Sequence, residues 1–240
     1  MTSVRSDWTD KTKNYPGLHS TVFATPRLLF RPLSYDYLPG FFAHKADPTI
    51  NRRWGPHKDI SESEEYLNSR LRDPLCWMFV VHPRPSDLKD EDIGPHLLQP
   101  SEADKHAIIG LCGFYRVPEI SASYLPSFWG KGIATEALAG LENAYWETFP
   151  NGHPCVEAHQ RMYLIAKTRK SNAAGSATIR KNGYELWKEA ENTTTINGVV
   201  PEMMLLWRKW KPGHEARDVS EGETQESTGK EEPSPLVSKL

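Results

Sequence analysis

Ser127 to Leu138 reads S-F-W-G-K-G-I-A-T-E-A-L, two glycines around a lysine with an apolar run behind them. Ile133, Ala137, Leu141, Ala144 and Tyr145 recur with a period of about 3.6 residues and mark one face of a helix. The stretch before the turn, E-I-S-A-S-Y-L from Glu119 to Leu125, reads as a strand. A strand, a glycine turn and a helix N-terminus make a trap for anions. The first helical N–H groups have no intrahelical partner, and the helix dipole favours negative charge. Gly130 and Gly132 let a phosphate approach those amides, and Lys131 adds a charge. The same glycines suit a plain strand-to-helix connection, and this segment alone leaves that reading open. A dinucleotide fingerprint needs a third glycine where Thr135 stands, and a nucleotide P-loop needs serine or threonine where Gly132 follows the lysine. The ligand that remains is a pyrophosphate on a short turn after an antiparallel strand.

The rest of the chain places this turn in one large α/β domain. T-P-R-L-L-F-R-P-L, Thr25 to Leu33, reads as the opening strand, ended by Pro32. Ser34 is a plausible cap for a helix through Y-D-Y-L-P-G-F-F-A-H-K-A, which Pro39 and Gly40 would break or kink. Ser61 and Glu64 form a capping box for the next helix. Cys76 to His82 is an apolar strand, and residues 83–105 form a polar insertion too long for an ordinary hairpin loop, hence functional or disordered. Strand H-A-I-I-G-L-C-G-F precedes Glu119, and strand R-M-Y-L-I-A-K-T follows the long helix. Then come helix N-A-A-G-S-A-T-I-R-K-N closed by Gly183, and strands Y-E-L-W-K-E-A-E and E-M-M-L-L-W-R-K-W. Trp207 and Trp210 alternate badly with polar residues and read as edge packing, while Cys112 reads as a small buried residue.

Residues 1–24 are expected to be a flexible arm, 25–211 the folded domain and 212–240 a disordered acidic tail, in which seven acids from Gly213 onward face three bases. The net charge of −2 gives no global attraction to nucleic acid or to an anionic membrane. No run approaches the roughly 20 apolar residues that span a bilayer. The polar N-terminus lacks the apolar segment of a secretory signal. Three cysteines without a C-x-x-C pair, and nine scattered histidines without ligand spacing, suggest a reducing compartment and no metal.

Four segments in order resemble the GCN5-related N-acetyltransferase (GNAT) superfamily, in its RimJ/RimL-like branch. T-P-R-L-L-F-R-P-L looks like the branch's first strand and I-I-G-L-C-G-F like its third. W-G-K-G-I-A-T-E-A-L is similar to the pyrophosphate loop Q/R-x-x-G-x-G/A, with Trp129 in the Q/R place, Gly132 as first glycine and Ala134 last. Asn172 with Lys181-Asn182-Gly183-Tyr184 looks like the closing motif N-x-x-S…K-x-G-F, with Gly175 where serine is usual. The resemblance covers about Thr25 to Trp210 and implies a mixed, mainly antiparallel sheet with splayed central strands and helices on both faces.

It also implies a reaction. Acetyl-CoA, or another acyl-CoA, would lay its pantetheine arm between the strands Glu119–Leu125 and Met162–Thr168. A free backbone N–H near Tyr124 or Leu125 would hold the thioester oxyanion. Trp129 and the amides from Gly130 through Lys131, Gly132, Ile133 and Ala134 to Thr135 would carry the pyrophosphate, and Asn172 would bond the pantetheine or cap its own helix. Lys167, Arg169 and Lys170 either meet phosphate or form a solvated turn. An attacking amine must be neutral, so a general base is expected, and Glu119 is the leading candidate. The tyrosine that many relatives place seven residues after the asparagine is Ile179 here, which leaves Ser176, Tyr124 or solvent to protonate the thiolate. Glu136 suits the helix dipole and is given no catalytic role. Arg52, Arg53 and Trp54 would suit an acceptor bearing a carboxylate or phosphate, or form ordinary packing. The acceptor is a small-molecule or peptide amine, with no metal involved.

A non-catalytic acyl-CoA-binding module is the alternative, and a scaffold with a filled groove a weaker one. The chain ends Ser238-Lys239-Leu240, the tripeptide that a peroxisomal import receptor reads at a free terminus. If Leu240 is the natural end, a peroxisomal matrix location is expected, and cytoplasmic otherwise.

Overall fold

The computed structural model describes residues 20–51, 55–191 and 202–214. Eight strands form a single sheet in the order β1-β2-β3-β4-β5-β6-β8-β7. They are β1 (Phe23–Ala24), β2 (Leu28–Pro32), β3 (Trp77–Pro83), β4 (Gly110–Arg116), β5 (Glu119–Tyr124), β6 (Tyr163–Arg169), β7 (Glu185–Glu191) and β8 (Met203–Trp210). Helices α1 (Leu38–Ala46), α2 (Ile60–Leu71), α3 (Glu102–His106), α4 (Ile133–Thr148) and α5 (Ala173–Lys181) join them. All neighbours run antiparallel except β5 and β6, which are parallel. Among the described residues no helix is long and apolar enough to cross a membrane.

The alternation of β3 builds two cores. Trp77, Phe79 and Val81 join Phe114, Ala137, Leu141 and Tyr145 of β4 and α4 on one face. Val80 joins Phe41, Leu67 and Leu111 on the face covered by α1 and α2. Each fully buried large side chain contributes about 1.5–3 kcal/mol, so a strand apolar on both faces is committed to the middle of the sheet.

Several expectations need correction. The sheet starts before Thr25: Phe23–Ala24 is a strand, and the Phe23 ring stacks on Phe30 at 4.3 Å. Residues 1–19 and 215–240, and with them nearly all of the arm and tail, lie outside the described residues. Ser34 caps nothing with its side chain; it precedes a 3-10 turn, Tyr35–Tyr37, and α1 begins at Leu38. Pro39 therefore falls in the first turn, where a missing N–H costs nothing. Gly40 lets α1 pack tightly, since a Cβ there would lie 2.5 Å from the Lys105 carbonyl oxygen.

Helix α2 is capped by Asp59, which accepts from the Glu62 N–H at 2.9 Å, while Glu62 accepts from the Lys58 N–H at 2.8 Å. The capping pair thus lies two residues before Ser61 and Glu64. The 83–105 insertion is ordered by two arginines. Arg84 bonds the Leu88 carbonyl and pairs with Asp90 at 2.8 Å, and buried Arg31 bonds the Leu97 carbonyl and pairs with Asp104 at 3.2 Å. Trp207 is core, not edge: β8 lies between β6 and β7, and the indole is 4% exposed. The true edge is β7, where Leu186 and Trp187 are exposed.

Candidate active site

Strands β5 and β6 pair only at Glu119–Ile165 and Ile120–Ala166, and then diverge. N–H groups of alternate residues face opposite edges of a strand. The Leu125 N–H donates to the Ile109 carbonyl at 2.9 Å, toward β4. The Pro118 carbonyl accepts from Ile165 at 3.0 Å, toward β6. The amides that face the gap are therefore those of Ala122 and Tyr124, and Leu125 does not offer a free one. Sequence reasoning named the neighbourhood but not the parity, because parity is set by register with β4.

At the end of β5 the turn leads into α4. Gly130 and Gly132 have φ of 73° and 76°, in the left-handed region that excludes most side chains. That requirement alone accounts for both glycines. The ligand reading draws support from what surrounds them: a Cβ on Gly130 would meet nothing within 4 Å, and Gly132 caps α4 without any side-chain acceptor. The amides of Ile133, Ala134 and Thr135 follow directly, and the first intrahelical bond runs from the Glu136 N–H to the Gly132 carbonyl at 3.1 Å. Lys131 lies over the Phe128 ring at 5.8 Å. Trp129 is 53% exposed, and its indole N–H donates to the Tyr124 carbonyl at 2.7 Å.

Arg27, which the sequence reading did not single out, completes the turn. Its guanidinium donates to the Lys131 carbonyl at 2.9 Å and to Glu136 at 2.6 Å. Glu136 also accepts from the Thr25 hydroxyl at 2.6 Å and the Arg27 N–H at 2.8 Å. Burial pushes its carboxyl up, but these bonds prevail and hold it below the usual range. Glu136 thus clamps the β1–β2 turn to α4 and brings a cation to the loop.

Asn172 caps α5, its side chain accepting from the Gly175 N–H at 2.9 Å. A Cβ on Gly175 would come within 2.4 Å of the Asn172 amide, so the departure from serine lets this cap close. Ser176 is buried, 3.0 Å from the Thr168 hydroxyl, which in turn accepts from the Trp207 indole at 2.8 Å. The Tyr124 hydroxyl is sunk in the core against Cys112, and burial raises it well above its usual range. As proton donors to a thiolate in the gap, both are corrected: their hydroxyls belong to packed structure. Cys112 is fully buried, and burial pushes its thiol up to about 12. Glu119 pairs with Lys167 at 2.6 Å, and Lys170 with Glu189 at 3.2 Å, so both lysines have carboxylate partners. Arg52, Arg53, Trp54 and the terminal tripeptide lie outside the described residues. Among the described residues no cluster of His, Cys, Asp or Glu could hold a metal ion.

The other face of β5 carries a second feature. Ile120 and Tyr124 point toward the α4 core, so Ser121 and Ser123 point the opposite way. There they floor an open cavity walled by Lys45 of α1, Tyr66 and Arg70 of α2, and Tyr115 of β4. Ser123 Oγ lies 3.3 Å from Nε2 of His44, whose ring is 1% exposed. Burial, aided by Lys45, lowers this histidine to about 4, so it is neutral at pH 7. Glu119 shares the face of Ser121 but is not among the residues lining the cavity. The alternating pattern E-I-S-A-S-Y was the available signal for this polar face, and it passed unused.

Residues 27–185 match the model of the acetyltransferase (GNAT) domain. No curated protein matches the chain in sequence. Among solved structures, the chain is similar to the ribosomal-protein-S5-alanine acetyltransferase from Vibrio fischeri, at 17% identity and TM-score 0.54, over 80% of this chain and 98% of that one. RimL, a ribosomal L7/L12 α-N-protein acetyltransferase in complex with coenzyme A, is similar at 14% identity and TM-score 0.57, over 80% and 98%. The microcin C7 self-immunity acetyltransferase MccE, in complex with acetyl-CoA and AMP, is similar at 16% identity and TM-score 0.57, over 78% and 93%.

Proposed function

Because the chain belongs to the acetyltransferase (GNAT) domain family, we propose that it transfers an acetyl or other short acyl group from an acyl-CoA to a primary amine, by direct attack in a ternary complex. The observation that carries this reading is the gap between β5 and β6, with two inward amides and an uncapped glycine turn at its end. An extended pantetheine fits a gap between strands, and a pyrophosphate fits unpaired helical amides. The ligands of RimL and MccE, coenzyme A and acetyl-CoA, support that donor.

In the proposed reaction the amine lone pair attacks the thioester carbonyl carbon, forming the C–N bond. The carbonyl oxygen becomes an oxyanion, which the Tyr124 or Ala122 N–H stabilises. The C–S bond then breaks and CoA leaves as thiolate. The amine gives up its proton to Glu119, directly or through water, and the thiolate takes a proton from solvent. Trp129, Gly130, Lys131, Gly132, Ile133, Ala134 and Thr135 hold the pyrophosphate, with Arg27 beside them. Asn172 serves by capping α5 at the rim.

The test is release of free CoA thiol by the full-length chain over a panel of amines and acyl-CoAs. A non-catalytic acyl-CoA-binding module is the competing reading, favoured by Ile179 in place of a tyrosine; it gives CoA binding with no thiol release. Peroxisomal import through Ser238-Lys239-Leu240 stays a proposal from sequence. Its test is the location of the full chain, carrying an N-terminal fluorescent tag, with and without those three residues.

A further inference from the structure

Lys45 and Arg70 come from two different helices and converge on the cavity floored by Ser121 and Ser123. Aromatic faces support both: the Lys45 ammonium lies 4.7 Å from the Tyr66 ring centroid, and the Arg70 guanidinium 4.3 Å from that of Tyr115. Contacts with ring faces hold a cation in place without using up its N–H donors. Among the described residues, no carboxylate lies within ion-pair distance of Lys45. Arg70 approaches Asp73 at 3.8 Å, too long for a hydrogen bond, and its Nη1 is buried with no hydrogen-bond partner among the described residues. A buried guanidinium nitrogen without an acceptor is costly, as is a cation without a counterion. Burial and the neighbouring Arg70 accordingly lower Lys45 to about 8. The cavity is thus walled by one cation without a carboxylate partner among the described residues, Lys45, and by a second, Arg70, which donates its Nε–H to Ser69 Oγ at 3.3 Å and keeps Nη1 unbonded.

Building on the acyl transfer proposed above, we infer that this cavity takes the acceptor, and that the acceptor is a small amine that also carries an oxyanion, a carboxylate or phosphate-like group bound by Lys45 and Arg70. Strand β5 joins the two halves of the site: its Ser121 and Ser123 side chains floor the cavity, and its Ala122 and Tyr124 amides face the gap. The same cations favour the reactive form of the amine. A second positive charge beside them is disfavoured, so a bound ammonium loses its proton more readily and becomes a nucleophile.

The experiment compares β-alanine, aminomethylphosphonate and propylamine on the full-length protein saturated with CoA, by calorimetry, and with acetyl-CoA, by thiol release. At least one of the two acids is expected to bind tenfold or more tightly than propylamine, and which one does so identifies the oxyanion. Lys45→Met and Arg70→Met should each bring that ratio below threefold, and Lys45→Arg should keep it. Equal binding of all three amines by the unaltered protein, or no measurable binding of either acid, overturns the inference whatever the variants do. A preference that survives both methionine substitutions overturns it as well. The acyl-transfer reading fails separately: a clear preference for an acid without thiol release refutes catalysis and leaves the oxyanion site standing, while unselective thiol release does the reverse.

Discussion

The indole N–H of Trp129 donates to the carbonyl oxygen of Tyr124 at 2.7 Å, tying the glycine turn back to the strand that precedes it. That carbonyl shares the strand edge of the Tyr124 N–H, so the bond fixes the mouth of the gap. Trp129→Phe keeps an aromatic ring and removes the donor. A net loss of about 1 kcal/mol of stability is expected, and a several-fold rise in the KM for acyl-CoA with kcat nearly unchanged. Steady-state kinetics and thermal unfolding measure both; an unaltered KM would detach Trp129 from donor binding.

Gly132 offers a cleaner probe of the phosphate loop than a bulky replacement. Its φ of 76° strains most side chains, so valine there would damage the turn whether or not a ligand binds. Asparagine tolerates the left-handed region. Gly132→Asn should therefore fold with a midpoint within a few degrees of the parent's, yet bind CoA at least about tenfold more weakly, the equivalent of ~1.4 kcal/mol. CoA affinity that survives this change removes the turn from the donor site.

The assignment of Glu119 as base makes a kinetic prediction. Glu119→Gln preserves size and loses the ability to take a proton. The expected effect is a fall in kcat on the order of a hundredfold or more. A kcat close to the parent's would move the base elsewhere.

Acid should unfold this protein through three histidines. His44, His82 and His153 are at most 2% exposed, and burial is the main reason each is lowered from 6.5 to about 4. Between those values the unfolded chain binds protons that the folded chain refuses. Stability is therefore complete above pH 6.5 and is lost as the pH falls toward 4, by up to roughly 1.4 kcal/mol per pH unit for each histidine. Urea midpoints should change little from pH 8 to 7, where Lys45, lowered to about 8, adds a shallow slope, and drop steeply from 6.5 to 5. His82→Gln should remove about a third of that slope. Midpoints that do not change down to pH 5 contradict the prediction.

What the sequence disclosed, and what it hid, follows the range of the forces involved. The glycine turn, α4 and strands β2 to β5 rest on local periodicity, and they were legible. The alternation of Trp77, Phe79 and Val81 with Val80 identified a strand apolar on both faces. Of the two places expected for the oxyanion amide, Tyr124 or Leu125, the sequence did not choose, because only pairing with Ile109 decides that Leu125 is spent. Trp207 reads as edge packing because it alternates badly with polar residues, whereas β8 inserts between β6 and β7 and buries it. Lys45 and Arg70 lie on separate helices, and no spacing within a single helix announces their meeting. Ser121 and Ser123 are the instructive omission: their period of two was visible and went unread.

The ladder between β5 and β6 is stitched at one end only, by two residue pairs, so the sheet consists of two leaves backed by helices. Strands β1–β5 form one leaf and β6, β8 and β7 the other, and the smaller leaf is the natural unit of partial opening. An extended molecule lying along the seam would supply the rungs that the polypeptide itself omits. Occupancy would then register as slower amide exchange in β8 and β7, strands that no such molecule touches.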